Sequence, residues 1–370
     1  MLIFRKWIGP LLAGLVLAGC QTSADHESTG PAPITEVVLL PEIKLPALGQ
    51  NNIETNEPPI LIPPPTPAAP ALVWPTNSAH PGWIALETWT ALNHLGPPQR
   101  LSTGPEPNFA VATTNGLVSI KIGSHTARWN GWNVWLGYAP KLFNGEPHLA
   151  LLDAVKTFQP LLQPNAPATK TNRVLVLDPG HGGADSGTFG TKQQLEKSFT
   201  LDWALRVQAI LRTNGWKVLL TRTTDLDVPL SARVAFADQA NADLFVSLHF
   251  NSASPHQSPS GLETYCLTPV GSPSSLTRNF EDNQRLTFPN NSFDRENVQL
   301  AFRLHRELLN ATHATDGGVR RARFMAVLRG QHRPAVLIEG GYLSNPAEAR
   351  LIASPAYRQK LAEAVARALE

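Results

Sequence analysis

The stretch Arg173-Val174-Leu175-Val176-Leu177-Asp178-Pro179-Gly180-His181-Gly182-Gly183 sets the architecture of the C-terminal half. Val174 to Leu177 are aliphatic without interruption, which is how a strand buried on both faces reads. Asp-Pro-Gly then ends the strand in a turn. Downstream, residues 198–213 carry Leu201, Ala204, Leu205 and Leu211 at helical spacing, and Asn214-Gly215 supplies the stop. Residues 217–222 and 243–249 are the next predicted strands, with a short helix at 231–239 between them. Residues 261–267, 323–328 and 335–338 are further predicted strands. Residues 297–312, with Leu300, Leu304 and Leu308 on one face, and 356–369 are predicted helices. Alternation of this kind is the α/β class: a twisted, mostly parallel sheet of about six strands with helices on both faces. Ligands in such sheets sit beyond the carboxyl ends of the strands. The residues just after the strand ends are therefore expected to carry the chemistry.

Those residues are chemically capable. The first strand ends in Asp178-Pro179-Gly180-His181-Gly182-Gly183, the third in Ser247-Leu248-His249-Phe250-Asn251 and the last in Ile338-Glu339-Gly340-Gly341. Glu196 heads the helix after the first loop. A catalytic zinc ion takes three N or O protein ligands and keeps one position open. His181, Glu196 and His249 could supply that set, with one Zn2+ per chain. A further, non-ligating group must take a proton as water attacks, and Glu339 is placed for that. The glycines beside His181, Gly182 and Gly183, would let backbone and substrate approach. Asp178 is expected to orient the His181 loop. Asn251 either touches substrate or caps its strand end. Arg222 and Arg233 are expected to be structural, and His256, His305, His313 and His332, outside these segments, to face solvent.

Taken together, Asp-Pro-Gly-His-Gly-Gly, Leu195-Glu196-Lys197, Ser-Leu-His-Phe-Asn and Glu339-Gly-Gly-Tyr-Leu-Ser-Asn-Pro resemble the zinc-dependent N-acetylmuramoyl-L-alanine amidases of peptidoglycan. The resemblance covers residues 173–370 with all four motifs in order. It implies His181, Glu196 and His249 as zinc ligands and Glu339 as the catalytic glutamate. It further implies hydrolysis of the amide between the lactyl group of N-acetylmuramic acid and L-alanine. Two other readings stay open: a zinc peptidase of the stem peptide, and a catalytically silent wall-binding or regulatory protein.

The N-terminal half reads differently. Arg5 and Lys6 precede a run of apolar and small residues at 7–19, as in a secretory signal. Leu17-Ala18-Gly19-Cys20 resembles the lipobox of bacterial lipoproteins, which implies cleavage after residue 19 and lipid on Cys20. A membrane anchor of that kind, with Gln21 after the cysteine, is expected at the periplasmic face of the outer membrane. Residues 20–78 are a predicted tether: 12 prolines fall between Gly30 and Pro75. Polyproline geometry over 46 such residues would reach about 140 Å. Residues 79–163 are a predicted small β-containing accessory domain with Trp83, Trp89, Trp129, Trp132 and Trp135, and with Asn130-Gly131 and Asn144-Gly145 as hairpin turns. Its order of turns and strands is similar to the stalk domain of copper amine oxidases; the tryptophans are expected in its core or, alternatively, on a glycan-binding face. The catalytic domain is expected at 173–370. Residues 268–296, rich in Ser, Pro and Asn, interrupt the sheet–helix order and are expected to form a substrate-side loop.

Composition sets outer limits. The 370 residues carry a net charge of +2, and no basic block that would hold a nucleic acid. Two cysteines, Cys20 and Cys266, exclude a disulfide framework. Cys266 lies in a strand-like run and is expected to be a buried packing residue. Peptidoglycan is the expected partner, and any protein activator is unknown from the sequence.

Overall fold

The computed structural model describes residues 80–163, 173–190, 194–277 and 282–370. The signal segment, Cys20 and the proline-rich tether lie outside the described residues. Among the described residues no helix is long and apolar enough to cross a membrane.

Among the described residues the first elements are β1 (Trp83–Ala85), α1 (Leu86–Leu92), β2 (Gln99–Arg100), β3 (Asn108–Thr113), β4 (Gly116–Lys121), β5 (Thr126–Trp129), β6 (Trp132–Trp135), β7 (Lys141–Phe143) and β8 (Glu146–Ala150). A helical stretch follows as α2 (Leu151–Asp153), a π-helical turn (Ala154–Phe158) and α3 (Gln159–Leu162). The second half runs β9 (Val174–Pro179), α4 (Glu196–Arg212), β10 (Lys217–Leu220), α5 (Leu230–Gln239), β11 (Leu244–Asn251), β12 (Leu262–Cys266), α6 (Asp294–Thr312), β13 (Asp316–Arg321), α7 (Ala326–Arg329), β14 (Ala335–Tyr342), α8 (Pro346–Ala353) and α9 (Pro355–Leu369).

Six strands of the second half pair in the order β10-β9-β11-β14-β12-β13. All neighbours are parallel except β12 and β14. Leu175 and Leu177 point to one face and Val176 to the other, as a pleated strand requires. The first face is covered by α4, α6 and α9, with Trp203, Leu304 and Leu361 wholly buried; the second is covered by α5 and α7, with Ala237 and Leu328. The α/β reading of this half therefore holds.

The sheet does not stop at β13. Val319 pairs with Val134 of β6, and the order continues β6-β5-β4-β3-β2, giving eleven strands in one sheet. Strands β2 to β6 thus extend the sheet of the second half, while β1, β8 and β7 pair as a separate three-stranded sheet. Asn130 and Asn144 adopt the left-handed conformation that their hairpin turns require. Trp89 and Trp129 are buried, while Trp83, Trp132 and Trp135 are half-buried.

Three expectations need correction. Residues 323–328 are not a strand. The strand lies earlier, at Asp316–Arg321, and Ala326 opens a helical turn. Leu205 does not share the buried face of α4: it is exposed, and Phe199, Trp203, Val207 and Leu211 form that face. His305 is fully buried, not solvent-facing. It projects from α6 toward the sheet, where Thr264 Oγ1 lies 3.1 Å from Nδ1 and Asp316 Oδ1 lies 2.9 Å from Nε2, so both ring nitrogens are satisfied. The described part of residues 268–296 forms a 3-10 turn at Pro289–Phe293 and is pinned by the Asp282–Arg323 ion pair and by Tyr138 Oη donating to Gly271 O at 2.8 Å. Cys266 is buried as expected.

Candidate metal centre

β9 lies between β10 and β11, so the chain leaves it in one direction while β11 joins on the other side. Such a reversal opens a crevice at the carboxyl ends of the two strands. His181 follows the end of β9, and His249 lies near the end of β11. Glu339, on β14, is the register partner of His249. A register shift between His249 and Asn251 breaks the regular pairing there. It leaves His249 half-buried toward the crevice and Phe250 in the core.

Glu196 is the first residue of α4, where a carboxylate suits the positive end of the helix. It is buried yet well supplied with donors. Thr188 N donates to Oε2 at 2.9 Å and Phe250 N to Oε1 at 3.0 Å. Oε2 also lies 3.1 Å from His181 Nε2, and Oε1 lies 3.1 Å from His249 Nδ1. Burial alone would raise this carboxyl; the two histidines, through hydrogen bonds and charge, hold it well below the usual range. For His181, burial disfavours the charged ring, but Glu196 and Asp185 outweigh it and the imidazole is held above its ordinary value.

One ligand atom each from His181, Glu196 and His249 falls within 4.8 Å of the others. Ligands about 2.0–2.2 Å from a tetrahedral ion need that closeness, and two imidazoles with one carboxylate suit zinc. The three residues fit a metal ion. They line a cleft of about 490 Å³ with Glu339, Asn251 and Met325.

The loop that carries His181 is strongly determined. His181 itself has φ 62°, a conformation rare outside glycine. Arg233 Nη2 donates to its carbonyl at 2.9 Å, and Arg233 Nη1 pairs with the Asp178 carboxylate at 2.6 Å. Arg222 donates to the carbonyls of Pro179 at 3.0 Å, Gly180 at 2.8 Å and Lys197 at 2.8 Å. Both arginines are buried and structural, as the sequence suggests, and Asp178 acts on the loop through Arg233. Lys197 Nζ reaches Gly183 O and Asp225 Oδ2, each at 2.7 Å.

Two residues of the site were not singled out from the sequence. Asp185 Oδ2 lies 2.8 Å from His181 Nδ1 and so leaves Nε2 to face Glu196. Its signal was an acid four residues after a histidine in a glycine-rich turn. Gly187 has φ +67°, and a Cβ there would fall 2.5 Å from Glu196 Oε2 and 2.6 Å from His181 Cδ2. Gly182 and Gly183 pack elsewhere than expected. A Cβ on either would meet the backbone of Leu226 or Asp227, at 2.1 and 2.6 Å. The approach they permit is that of the 222–227 segment. Asn251 lines the cleft and donates through Nδ2 to Glu263 Oε2 at 2.9 Å.

Comparison with known proteins identifies the family. The family model of N-acetylmuramoyl-L-alanine amidase (Amidase_3) matches residues 175–370. The chain is 30% identical over 251 residues to N-acetylmuramoyl-L-alanine amidase AmiA of Salmonella typhimurium, covering 62% of this chain and 86% of that protein. It is also 30% identical over 209 residues to the germination-specific N-acetylmuramoyl-L-alanine amidase of Bacillus subtilis, covering 53% and 77%. Among solved structures, the amidase AmiC2 of Nostoc punctiforme is 33% identical, with 53% of this chain and 94% of that chain covered and a TM-score of 0.45. With the match spanning more than half of its length and every strand end that builds the cleft, the chain belongs to the N-acetylmuramoyl-L-alanine amidase family.

Proposed function

We propose that this enzyme of the bacterial cell wall hydrolyses the amide between N-acetylmuramic acid and L-alanine with one zinc ion held by His181, Glu196 and His249 and with Glu339 as the proton carrier. The observation that carries the reading is the convergence of those three ligand groups in one cleft with a separate carboxylate. When bound, zinc supplies Lewis acidity, favouring a nucleophilic water and the negative charge that develops on the carbonyl oxygen. Glu339 then accepts the proton of the attacking water at a carboxylate oxygen and returns it to the leaving nitrogen. Glu196 does not serve as that base, because both its oxygens are committed to the histidines and to two backbone N–H groups. Asp185 orients His181. Met325 and its apolar neighbours Phe324 and Val327 limit water on one wall of the cleft.

The decisive experiment digests peptidoglycan sacculi with the purified chain, with and without a chelator, and analyses the products by mass spectrometry. Intact stem peptides with a free L-alanine amine, abolished by chelation, are expected. Cuts within the stem would make the chain a peptidase. Absence of release together with binding to sacculi would make it a silent wall-binding protein.

The N-terminal half bears on where this happens. Residues 1–19 are proposed as a lipoprotein signal, Cys20 as the lipid-bearing residue, 20–78 as a tether, 79–163 as a stalk-like accessory domain and 173–370 as the catalytic domain. The support is the sequence Leu17-Ala18-Gly19-Cys20 and the proline content after it. Anchored at the periplasmic face of the outer membrane, the catalytic unit would reach the wall through the tether. Release of the chain from membranes by Cys20→Ser is the expected result; retention of that variant would remove the lipid anchor from the account.

A further inference from the structure

A second cleft, of about 350 Å³, opens where the N-terminal strands join the sheet. Thr126, Asn133 and Trp135 line it from β5 and β6; Glu263, Asp316 and Arg320 line it from β12 and β13. Its position follows from strand direction. β12 runs antiparallel to β14, and β13 runs parallel to β12. The starts of β12 and β13 therefore lie at the same sheet edge as the ends of β9, β11 and β14, where the metal centre sits. The two clefts share a wall: Asn251 lines the first, and its partner Glu263 lines the second. Tyr342, at the end of β14, lines the second cleft and donates to Glu263 Oε1 at 3.2 Å.

The order β14-β12-β13-β6 puts three strand spacings between Glu339 and the far wall. That is about 14 Å at 4.7–4.9 Å per spacing. An extended peptide of about four residues covers the same distance.

The lining chemistry separates the two halves of the substrate. Charges of both signs are present: Glu263 and Asp316 against Arg320. Arg320 Nε donates to Gly317 O at 2.8 Å and lies 3.1 Å from Glu263 Oε1. That uses one of the five N–H donors of a guanidinium, whose fork suits a carboxylate. A sugar ring would instead need an open aromatic face. Trp135 already has His125 stacked on it at 5.3 Å and the Arg320 guanidinium 5.8 Å from its ring centre.

Building on the amidase reading, we propose that this cleft binds the stem peptide of the substrate beyond the scissile amide, with Arg320 receiving a peptide carboxylate. The N-terminal strands then supply one wall of a substrate site.

The test uses the full chain, loaded with zinc, and two soluble substrates: N-acetylmuramoyl-L-alanine and the corresponding N-acetylmuramoyl tetrapeptide. A charge-assisted contact at the far end predicts a kcat/KM ratio favouring the tetrapeptide by roughly tenfold or more. Arg320→Gln removes the charge, and Thr126→Trp fills the cleft from an exposed position on β5. Each is expected to bring the ratio toward one. Calorimetric titration of the tetrapeptide substrate into Glu339→Gln protein, with and without Thr126→Trp, should show the same loss in affinity. Hydrolysis of both substrates at equal kcat/KM by the unmodified chain overturns the cleft assignment and leaves the amidase reading intact. Equal loss on both substrates in both variants overturns it as well, as does a Thr126→Trp effect confined to substrates with longer glycans. Hydrolysis of neither substrate overturns the amidase reading, and this inference with it.

Discussion

Glu263 on β12 stands directly opposite Glu339 on β14 in the antiparallel register, so two buried carboxylates are cross-strand neighbours. Glu263 is tied down by several donors. Glu263 accepts from Asn251 Nδ2, Tyr265 Oη at 2.8 Å and Tyr342 Oη, and pairs with Arg320. That arrangement fixes Glu263 in place, while Glu339 faces the cleft with the ligand set. Glu339→Gln keeps the shape and removes the basicity. Turnover is expected to fall by about 10²–10⁴-fold, the range for a general acid–base group. Metal content, measured by atomic emission on the purified variant, is expected to stay at that of the parent. Loss of the metal with the carboxylate would assign Glu339 to the ligands.

Asp185 gives a different signature. It touches His181 and is mostly exposed, so its removal costs little in folding. What it fixes is the ring orientation and the nitrogen presented to the ion. Asp185→Asn is expected to weaken zinc binding by about 10–100-fold, read by competition with a chromophoric chelator. Activity at saturating zinc should largely recover. Unchanged affinity would mean that His181 is held well enough by the Arg233 contact to its carbonyl.

Much of this site was legible in the sequence because strand ends are set by local pattern. Val174–Leu177 could only be a buried strand, and the residues after it had to emerge at the crevice. Asp185 was less legible because its role depends on how a loop folds back, with Gly182 N donating to Asp185 O at 2.8 Å. β13 was missed because Asp316-Gly317-Gly318 carries no apolar pattern; its pairing on both sides, to β12 and β6, decides it. Phe324 to Leu328 looked like a strand because it is apolar. Phe324 to Val327 line the cleft, and Leu328 enters the core. The join between Val134 and Val319 has no local signal, since each strand alone could have been an edge.

Metal binding and pH should be coupled with a defined sign. In the metal-free chain His181 is held above its ordinary pKa by Glu196 and Asp185. A raised histidine contributes stability that is full below the unfolded value of 6.5 and is lost as pH rises through the folded value. Zinc requires the neutral ring, so its binding releases that proton. The gap in melting temperature between zinc-loaded and zinc-free protein is therefore expected to widen as pH rises from about 6 to 8. Differential scanning fluorimetry across that range checks it. A gap that narrows would exclude His181 from the ligand set.

Asp153 tests the N-terminal unit independently of the metal. It is buried, and its oxygens accept Gly137 N at 2.8 Å and Tyr138 N at 2.9 Å. Burial nevertheless dominates and pushes its carboxyl from 3.8 up to about 6. The sign follows from linkage: the folded state holds this proton more tightly than the unfolded one. Its contribution is full below about pH 4 and is lost as pH rises through about 6. At 1.36 kcal/mol per pKa unit, the loss is about 3 kcal/mol in all. Carboxylates held low, such as Asp202 between Arg206 and Arg358, work in the opposite direction at more acid pH. The group is therefore isolated by difference. Urea unfolding of the parent and Asp153→Asn chains, at intervals between about pH 4 and 7, should show the variant gaining on the parent as pH rises. The gain should be largest near pH 6 to 7 and flat below pH 4. A constant difference across the range would mean that the backbone N–H groups of Gly137 and Tyr138 keep Asp153 ionised, and that burial does not control this carboxyl.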